Sequence, residues 1–244
     1  MRAWIPSLDT STIPWEATPL TGVFGKTLNS DPDTQARTGM VVFKDGASVP
    51  GRPHYHDTDE EILVTKGLVT FDHRTWLPSR GYIYHAPRTV HGFKSGTQGE
   101  TVMLARHNGI GPLVLNFIEG EPAQDDWYQV SGEPPRREPA YITDFTEMPS
   151  VSAEDGSETT VLSLHPDTKQ GSIFIRLPPG WRGAAPAIES RGYREIFVVE
   201  GDVQTTDGHA LREAYYAFIP PGVAHGFTAS DQGALIFVSV GGEA

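Results

Sequence analysis

The sequence predicts an all-β protein built from two tandem domains of similar structure, and three observations support this prediction. The 244 residues include 26 glycines and 20 prolines, a composition that favours turns between short strands over long helices. No stretch keeps a helical hydrophobic period over three turns. The two halves of the chain also resemble each other, and the length is sufficient for two domains that each bury a core.

The internal repeat has an offset of 134 residues. Fourteen of the 54 positions from residue 46 to residue 99 are identical to the residues 134 positions later, without a gap. Two copies are too few for an open solenoid and fit two similar compact domains. We therefore expect an N-terminal domain over residues 1–130 and a C-terminal domain over residues 131–244. Residues 119–139 are rich in proline, glycine and charge, which is typical of a linker.

Each repeat contains short runs in which apolar residues alternate with polar ones, bounded by glycine, proline or aspartate. This period of two is the pattern of a half-buried β-strand. Regularly spaced strands of this kind predict a sandwich or small barrel in each repeat. The runs are residues 39–43, 61–65, 81–84 and 101–105 in the first repeat, and residues 172–175, 195–199, 215–219 and 234–239 in the second.

Charge and composition exclude several classes of function. A net charge of −12 argues against nucleic acid, which requires clustered lysine and arginine, and against anionic membranes. No apolar run approaches the roughly 18 residues of a membrane helix, and no targeting segment is recognisable at the start of the sequence. We therefore expect a cytoplasmic protein with no nucleic-acid or membrane partner. Because the chain has no cysteine, any metal must be bound by histidine and carboxylate.

The strongest chemical signal is His54-Tyr55-His56, followed by Glu60 and, further on, by His91. Residues i and i+2 of a strand point to the same face, so His54 and His56 project together. Glu60 alternates with Ile62 and Val64, which predicts that it also points inward. Three imidazoles and one carboxylate suit Fe(II), Mn(II), Zn(II), Ni(II) or Cu(II).

The spacing of these residues resembles that of the cupin superfamily. His54-x-His56-x3-Glu60-x6-Gly67 fits the first cupin motif, and Pro221-Gly222-x-x-His225 fits the second motif in the C-terminal repeat. The string around Glu60 is most similar to the cupin domain of ChrR-type anti-sigma factors and related small dioxygenases.

The resemblance implies two jelly-roll barrels, a bicupin, with one divalent metal ion in the first barrel. It implies that His54, His56, Glu60 and His91 are the metal ligands and form the catalytic centre. Fe(II) is the expected metal, with Zn, Mn, Ni or Cu as alternatives. Glu61 is the nearest competitor for the carboxylate role, but its counterpart Glu195 indicates a structural or surface role common to both repeats.

The second repeat departs from this pattern. His54, His56 and Glu60 correspond to Ile188, Ser190 and Arg194, so that His225 is left as the only matching histidine. One imidazole cannot hold a metal ion against water, and we expect a degenerate, metal-free C-terminal barrel. Its role is then structural, in dimerisation or shielding, or it holds an anionic ligand through Arg194.

Several neighbouring residues have two interpretations. Arg52 either contacts an anionic substrate or forms a surface salt bridge. His85 and His107 either act as bases beside the metal or are simply hydrogen-bonded histidines. The aromatic residues on the predicted strands either pack the core or line a substrate pocket; they are Phe43, Tyr82, Tyr84 and Phe93.

By the resemblance, the chain is a metal-dependent oxidoreductase, foremost an Fe(II) dioxygenase. Its substrate is then a small oxygenated molecule such as a diketone, a phenolic compound or an aromatic ketone, and the enzyme is expected to be a homodimer. A Lewis-acid isomerase, cyclase or lyase is an alternative, because the ligand set alone does not separate the two chemistries. A non-catalytic metal or ligand sensor is the alternative from another class.

Overall fold

The structure is a computed structural model. It describes residues 2–47, 51–72, 74–93, 95–108, 114–120, 127–130, 135, 137–183 and 192–241. Over these residues the regular secondary structure consists of strands and two single-turn 3-10 helices, Thr10–Thr12 and Phe145–Glu147. The predicted all-β class is therefore confirmed. Neither described helix is long or apolar enough to cross a membrane.

Nineteen strands are found in the described residues. The first eleven are β1 (Ile5–Asp9), β2 (Glu16–Ala17), β3 (Val23–Ser30), β4 (Arg37–Phe43), β5 (His54–Tyr55), β6 (Glu60–Thr70), β7 (Trp76–Pro78), β8 (Tyr82–His85), β9 (Gly96–His107), β10 (Asn116–Phe117) and β11 (Ala140–Ile142). The other eight are β12 (Ser150–Ser152), β13 (Glu158–Leu164), β14 (Gly171–Leu177), β15 (Arg194–Thr205), β16 (Ala210–Arg212), β17 (Tyr215–Ile219), β18 (Phe227–Ala229) and β19 (Ala234–Val240).

The chain divides into two compact units. The N-terminal unit comprises Pro14–Phe145, and the C-terminal unit comprises Met1–Ile13 together with Thr146–Ala244. These units differ from the division expected at residue 130 by one short segment at the start of each repeat, which we call an arm. The first arm, residues 2–13, carries β1, and the second arm, residues 137–145, carries β11.

The N-terminal unit is built on an eight-stranded antiparallel sheet in the order β11-β8-β6-β9-β4-β3-β2, with β7 paired to β6. A separate pair, β10 and β5, carries the first histidines of the candidate site. Alternation along β6 places Ile62 and Val64 in the hydrophobic core, on the strand face to which Glu60 also belongs. The other buried members of that core are Val23, Phe43, Val69, Leu77, Ile83 and Met103.

The C-terminal unit repeats this arrangement with nine strands. Its order is β1-β17-β15-β19-β14-β13-β12, and β16 and β18 both pair with β15. Trp181, Ile196, Leu211 and Phe227 are among the residues that fill its core. Each unit thus contains a jelly-roll arrangement of antiparallel strands, as the cupin resemblance implies.

The two arms explain why the compact units differ from the sequence repeats. β1 opens the first repeat but pairs with β17 of the second, and β11 opens the second repeat but pairs with β8 of the first. Each arm covers a strand edge that would otherwise expose unpaired backbone groups. Proline and glycine before β11 suggest a linker in the sequence, but residues 137–145 belong to the N-terminal unit.

Gly67 on β6 and its counterpart Gly201 on β15 show why each repeat has a glycine within its long central strand. Both have a left-handed backbone, with φ of +84° and +76°, at which other residues are strained. A Cβ on Gly67 would come within 2.5 Å of the Glu100 carbonyl oxygen. The pairing register between β6 and β9 shifts at this point, so the glycine permits a β-bulge that bends the strand.

Candidate metal centre

Three histidines distant in sequence meet in the N-terminal unit. Each of His54 and His91 donates its backbone N–H to the carbonyl of the other, both at 2.9 Å, and this bridge carries their side chains together. His56 follows on the same segment. One ligand atom from each of the three rings lies within 4.8 Å of the others, and all three residues are buried.

Backbone carbonyls determine which nitrogen of each ring carries the proton. A carbonyl oxygen only accepts a hydrogen bond, so the Nδ1 atom facing it must donate. Each Nε2 of a neutral ring is then a bare lone pair available to a metal. Such orientation by a second hydrogen bond is typical of metal-binding histidines. The Nδ1–carbonyl distances are 2.9 Å for His54 to Arg52, 2.8 Å for His56 to Val114, and 2.9 Å for His91 to Thr89.

The carboxylate of Glu60 lies beside these nitrogens. Its Oε1 is 3.9 Å from His56 Nε2 and its Oε2 is 3.4 Å from His91 Nε2. Burial by itself raises the pKa of Glu60, but a hydrogen bond from His85 and the neighbouring imidazoles hold this pKa well below its ordinary value. The carboxyl group is therefore ionised, as a metal ligand must be.

The sheet register brings two further histidines to Glu60. On β8 its direct partner is His85, and on β9 its direct partner is His107. His85 Nδ1 donates to Glu60 Oε2 at 2.9 Å, and His107 Nε2 lies 3.9 Å from Glu60 Oε1. Both residues were ambiguous in the sequence, since only the strand register shows that they flank Glu60.

The contacts of His85 distinguish it from His54, His56 and His91. Its ring is stacked on that of His91, with centroids 3.8 Å apart and planes inclined by 16°. Both His85 nitrogens are also occupied, Nδ1 by Glu60 and Nε2 by the Tyr141 hydroxyl.

The donor atoms of this cluster fit a metal ion. Three Nε2 lone pairs without a proton converge beside one ionised carboxylate, and this donor set suits a divalent transition metal. Two overlapping groups of described residues have metal-ligand spacing, His54–His56–His91 and Glu60–His85–His91. All four residues expected from the sequence belong to one group or the other, and their joint ligation of one ion stays a prediction.

Gly92 makes room for the first of these rings. Its φ is +78°, and a Cβ at this position would lie 2.7 Å from His54 Cε1 and 2.8 Å from His54 Nδ1. Any larger residue would therefore displace the imidazole. Its counterpart Gly226 in the second repeat is less constrained, because its nearest neighbour would be Thr206 Cγ2 at 3.4 Å.

Burial lowers the pKa of every histidine in this cluster whose shift is resolved. Burial is the main cause for His54, His85 and His91, and for His91 the neighbouring His85 adds to it. Burial likewise lowers the pKa of His107 to about 4. These imidazoles are therefore neutral at pH 7, the form in which they bind a metal.

Glu61, the competitor for the carboxylate role, has a different environment. Its buried carboxylate accepts hydrogen bonds from Arg106, Arg137 and, at 2.8 Å, the hydroxyl of Tyr82. Although burial raises the pKa of Glu61, the two guanidinium groups hold it well below its ordinary value. Glu61 is thus committed to an internal ion-pair cluster.

The C-terminal unit contains the equivalent of that cluster. The carboxylate of Glu195 accepts hydrogen bonds from Arg2 and Tyr216, both at 2.6 Å. In each unit the arginine from the arm, Arg137 or Arg2, reaches a buried glutamate on the long central strand. Of the structural and surface roles expected for the second acid, the burial of both glutamates supports the structural one.

The metal-centre residues are not repeated in this way. Arg194, at the position of Glu60, donates to the carbonyl oxygens of Val223 and His225, both at 3.1 Å. Ile188 and Ser190, the counterparts of His54 and His56, lie outside the described residues. Within the part of the chain that the structure describes, both groups with metal-ligand spacing belong to the N-terminal unit.

Arg52 and the four aromatic residues considered for substrate binding lie in different surroundings. The Arg52 guanidinium carbon lies 4.5 Å from the ring centroid of Phe117, and that ring is 5.8 Å from the ring of His54. The four aromatic residues considered for a substrate pocket are instead core residues of the N-terminal unit; they are Phe43, Tyr82, Tyr84 and Phe93.

The fold and the site together define a cupin. The chain belongs to the family of ChrR cupin-like domains, whose model matches residues 7–109 and 138–242. The two matches begin within the first arm and immediately before β11, so each family domain starts with the strand that pairs in the other repeat. No curated protein matches the chain.

Solved structures show the same fold. A protein from Nostoc punctiforme PCC 73102, provisionally described as a dioxygenase, is 18% identical with a TM-score of 0.73, over 99% of this chain and 87% of that one. Protein YlbA from E. coli is 10% identical with a TM-score of 0.61, over 96% and 90%. A variant of Bacillus subtilis oxalate decarboxylase is 10% identical with a TM-score of 0.58, over 99% and 78%.

Proposed function

We propose that the N-terminal unit binds one divalent metal ion through His54, His56, Glu60 and His91. The protein is then a metal-dependent oxidoreductase, foremost an Fe(II) dioxygenase acting on a small diketone, phenolic compound or aromatic ketone. The observation that carries this proposal is the convergence of three unprotonated Nε2 atoms beside the ionised Glu60. The C-terminal unit is proposed to carry no metal, because Arg194 replaces the carboxylate.

The ligand set is suited to dioxygen chemistry. A ferrous ion held by three imidazoles and one carboxylate keeps one or two positions open for a substrate and O₂. The two positive charges of the ion would exceed the single charge of Glu60, since an imidazole binds a metal in its neutral form. The centre therefore favours an anionic oxygen ligand, such as the enolate of a diketone or a phenolate.

Apolar side chains beside the site support a substrate with an apolar body. Val114, whose carbonyl orients His56, and Phe117, which pairs with His54 on β5, are 48% and 41% exposed. Leu115 between them is exposed to a similar degree. Small-molecule sites combine apolar side chains with a few placed polar groups, and both kinds adjoin the candidate centre here.

The test is elemental analysis of protein purified without added metal, followed by O₂ electrode measurements with a panel of diketones and phenolic compounds. About one iron per chain and substrate-dependent O₂ uptake are expected. Iron-loaded protein that consumes no O₂ with any compound of the panel would overturn the proposed dioxygenase activity. Turnover of a substrate with Zn(II) and without O₂ would point to Lewis-acid chemistry.

A sensor is the second candidate, because the family match is to ChrR cupin-like domains. A metal-binding protein without turnover that changes its association state or its partner on metal binding would favour it. The homodimer, the cytoplasmic location and the lack of nucleic-acid or membrane partners stay predictions from the sequence. Light scattering after gel filtration measures the first of these.

A further inference from the structure

A chain of hydrogen bonds leads from the second arm to Glu60. Tyr141 on β11, His85 on β8 and Glu60 on β6 belong to three adjacent strands of the N-terminal sheet. The hydroxyl of Tyr141 contacts His85 Nε2, and His85 Nδ1 contacts Glu60 Oε2 at 2.9 Å. His85 is 1% exposed, so water cannot readily replace either partner.

The direction of both hydrogen bonds follows from the chemistry of the end group. An ionised carboxylate only accepts, so His85 Nδ1 must donate to Glu60. In a neutral imidazole the other nitrogen is then an acceptor, and Tyr141 donates its O–H to His85 Nε2. The phenol thereby holds His85 in the tautomer that serves Glu60. The ring of Trp127 stacks on Tyr141 and covers it.

The second repeat shows whether these hydrogen-bonded residues belong to the shared architecture or to the candidate metal centre. At the 134-residue offset, Glu60 corresponds to Arg194, His85 to Ile219 and Tyr141 to Ser7. None of the three is kept in the C-terminal unit. The neighbouring Glu61 cluster, in contrast, is kept there with its tyrosine and its arginine from the arm. The Glu61 cluster is therefore part of the architecture, whereas the Tyr141–His85–Glu60 chain accompanies the candidate metal centre.

We infer that His85 and Tyr141 are positioning residues for the carboxylate ligand, an inference that rests on the proposed metal site. Within the described residues, Glu60 accepts its hydrogen bond on Oε2, and Oε1 is left facing His56 and His107 at 3.9 Å. The hydrogen bond to Oε2 would fix the orientation of the Glu60 carboxylate toward a bound ion. Outer partners of this kind change metal affinity about 10- to 100-fold in other sites.

Variants of the full-length protein test this role with Co(II) as the probe. Affinity is measured by competition with a chromophoric chelator, and the ligand field is read from the visible spectrum of bound Co(II). His85→Leu removes both hydrogen bonds and should weaken Co(II) binding about 10- to 100-fold and change the spectrum. In His85→Asn the side-chain amide can donate to Glu60, and most of the affinity should return.

Tyr141→Phe removes the hydroxyl alone, and we expect a smaller loss of affinity with a measurable spectral change. The control Tyr216→Phe removes a buried tyrosine hydroxyl that donates to Glu195 in the C-terminal unit and should leave Co(II) affinity and spectrum unchanged. The inference would be overturned if folded His85→Leu, His85→Asn and Tyr141→Phe all kept the wild-type Co(II) affinity and spectrum. The proposed metal site would still stand in that case. A wild-type protein that binds no Co(II) would overturn the proposed site as well.

Discussion

Arg137 donates a hydrogen bond to Glu61, although the two residues belong to different sequence repeats. Arg2 and Glu195 form the same contact in the opposite sense, from the first repeat to the second. In both cases the arginine lies next to an arm strand, and the glutamate is buried on a central strand. This reciprocal exchange, more than the linker composition, determines which residues form each compact unit.

Removing the arginine should destabilise the N-terminal unit. Arg137→Leu leaves the buried Glu61 carboxylate with one guanidinium partner, Arg106, instead of two. We therefore expect the free energy of unfolding to fall by about 3 kcal/mol. Urea denaturation monitored by tryptophan fluorescence measures this change. Lys44→Ala, in an exposed ion pair with Glu100, is the matched control and should have little effect. Equal effects of the two substitutions would contradict the structural role of the Glu61 cluster.

His56→Ala should abolish stoichiometric metal binding and preserve the β fold. It removes one of three Nε2 ligands from a site whose other members remain in place. Metal content by plasma spectrometry and far-UV circular dichroism report the two properties. Arg194→Ala, at the equivalent position of Glu60 in the other unit, should leave the metal content unchanged. Retention of a full equivalent in His56→Ala would refute the ligand assignment.

Gly92→Ala should weaken metal binding by about tenfold or more. The added Cβ would overlap the His54 ring, and the left-handed backbone at this position adds strain. Chelator competition measures the affinity. The control is Gly226→Ala in the second repeat, where the contact is 3.4 Å and no loss is expected. The prediction fails if the two variants bind metal equally well.

The metal-free protein should lose stability as the pH falls below neutrality. Burial lowers the pKa of His107 from 6.5 to about 4, so the unfolded chain binds this proton more readily than the folded one. Stability is then complete above pH 6.5 and declines between pH 6.5 and about 4. The pKa of Glu60 is also lowered in the folded protein, so this residue adds a further loss of stability below pH 4.5, its ordinary pKa. Unfolding temperature measured against pH reports this slope.

His107→Asn removes one of the titrating groups and should flatten the decline. His209→Asn is a suitable control, since that residue is partly exposed in the C-terminal unit. A wild-type curve that stays level from pH 7 to pH 4 would contradict the neutral, buried state of the cluster.

Much of the fold could be predicted from local patterns. The alternation of apolar residues predicts most of the central strands, and strand parity correctly predicts that Glu60 shares a face with Ile62 and Val64. The spacing of His54, His56 and Glu60, with the distant His91, identified four side chains that the fold brings together. That they bind a metal stays a prediction.

Other features depended on strand pairing, which connects residues far apart in the chain. His85 and His107 looked like isolated histidines, and only the register on both sides of β6 places them against Glu60. Tyr141 belonged to a segment next to an expected linker, yet β11 completes the sheet that carries the site.

The amino-acid sequence alone therefore determined the class of fold, the repeat and the ligand types, because these depend on periodicity and on which residues are present. The tertiary structure decided which strand edges the arms cover, which histidine tautomers the carbonyls impose and which side chains support Glu60. These properties depend on the register and on the burial of backbone groups, and a local pattern cannot specify either.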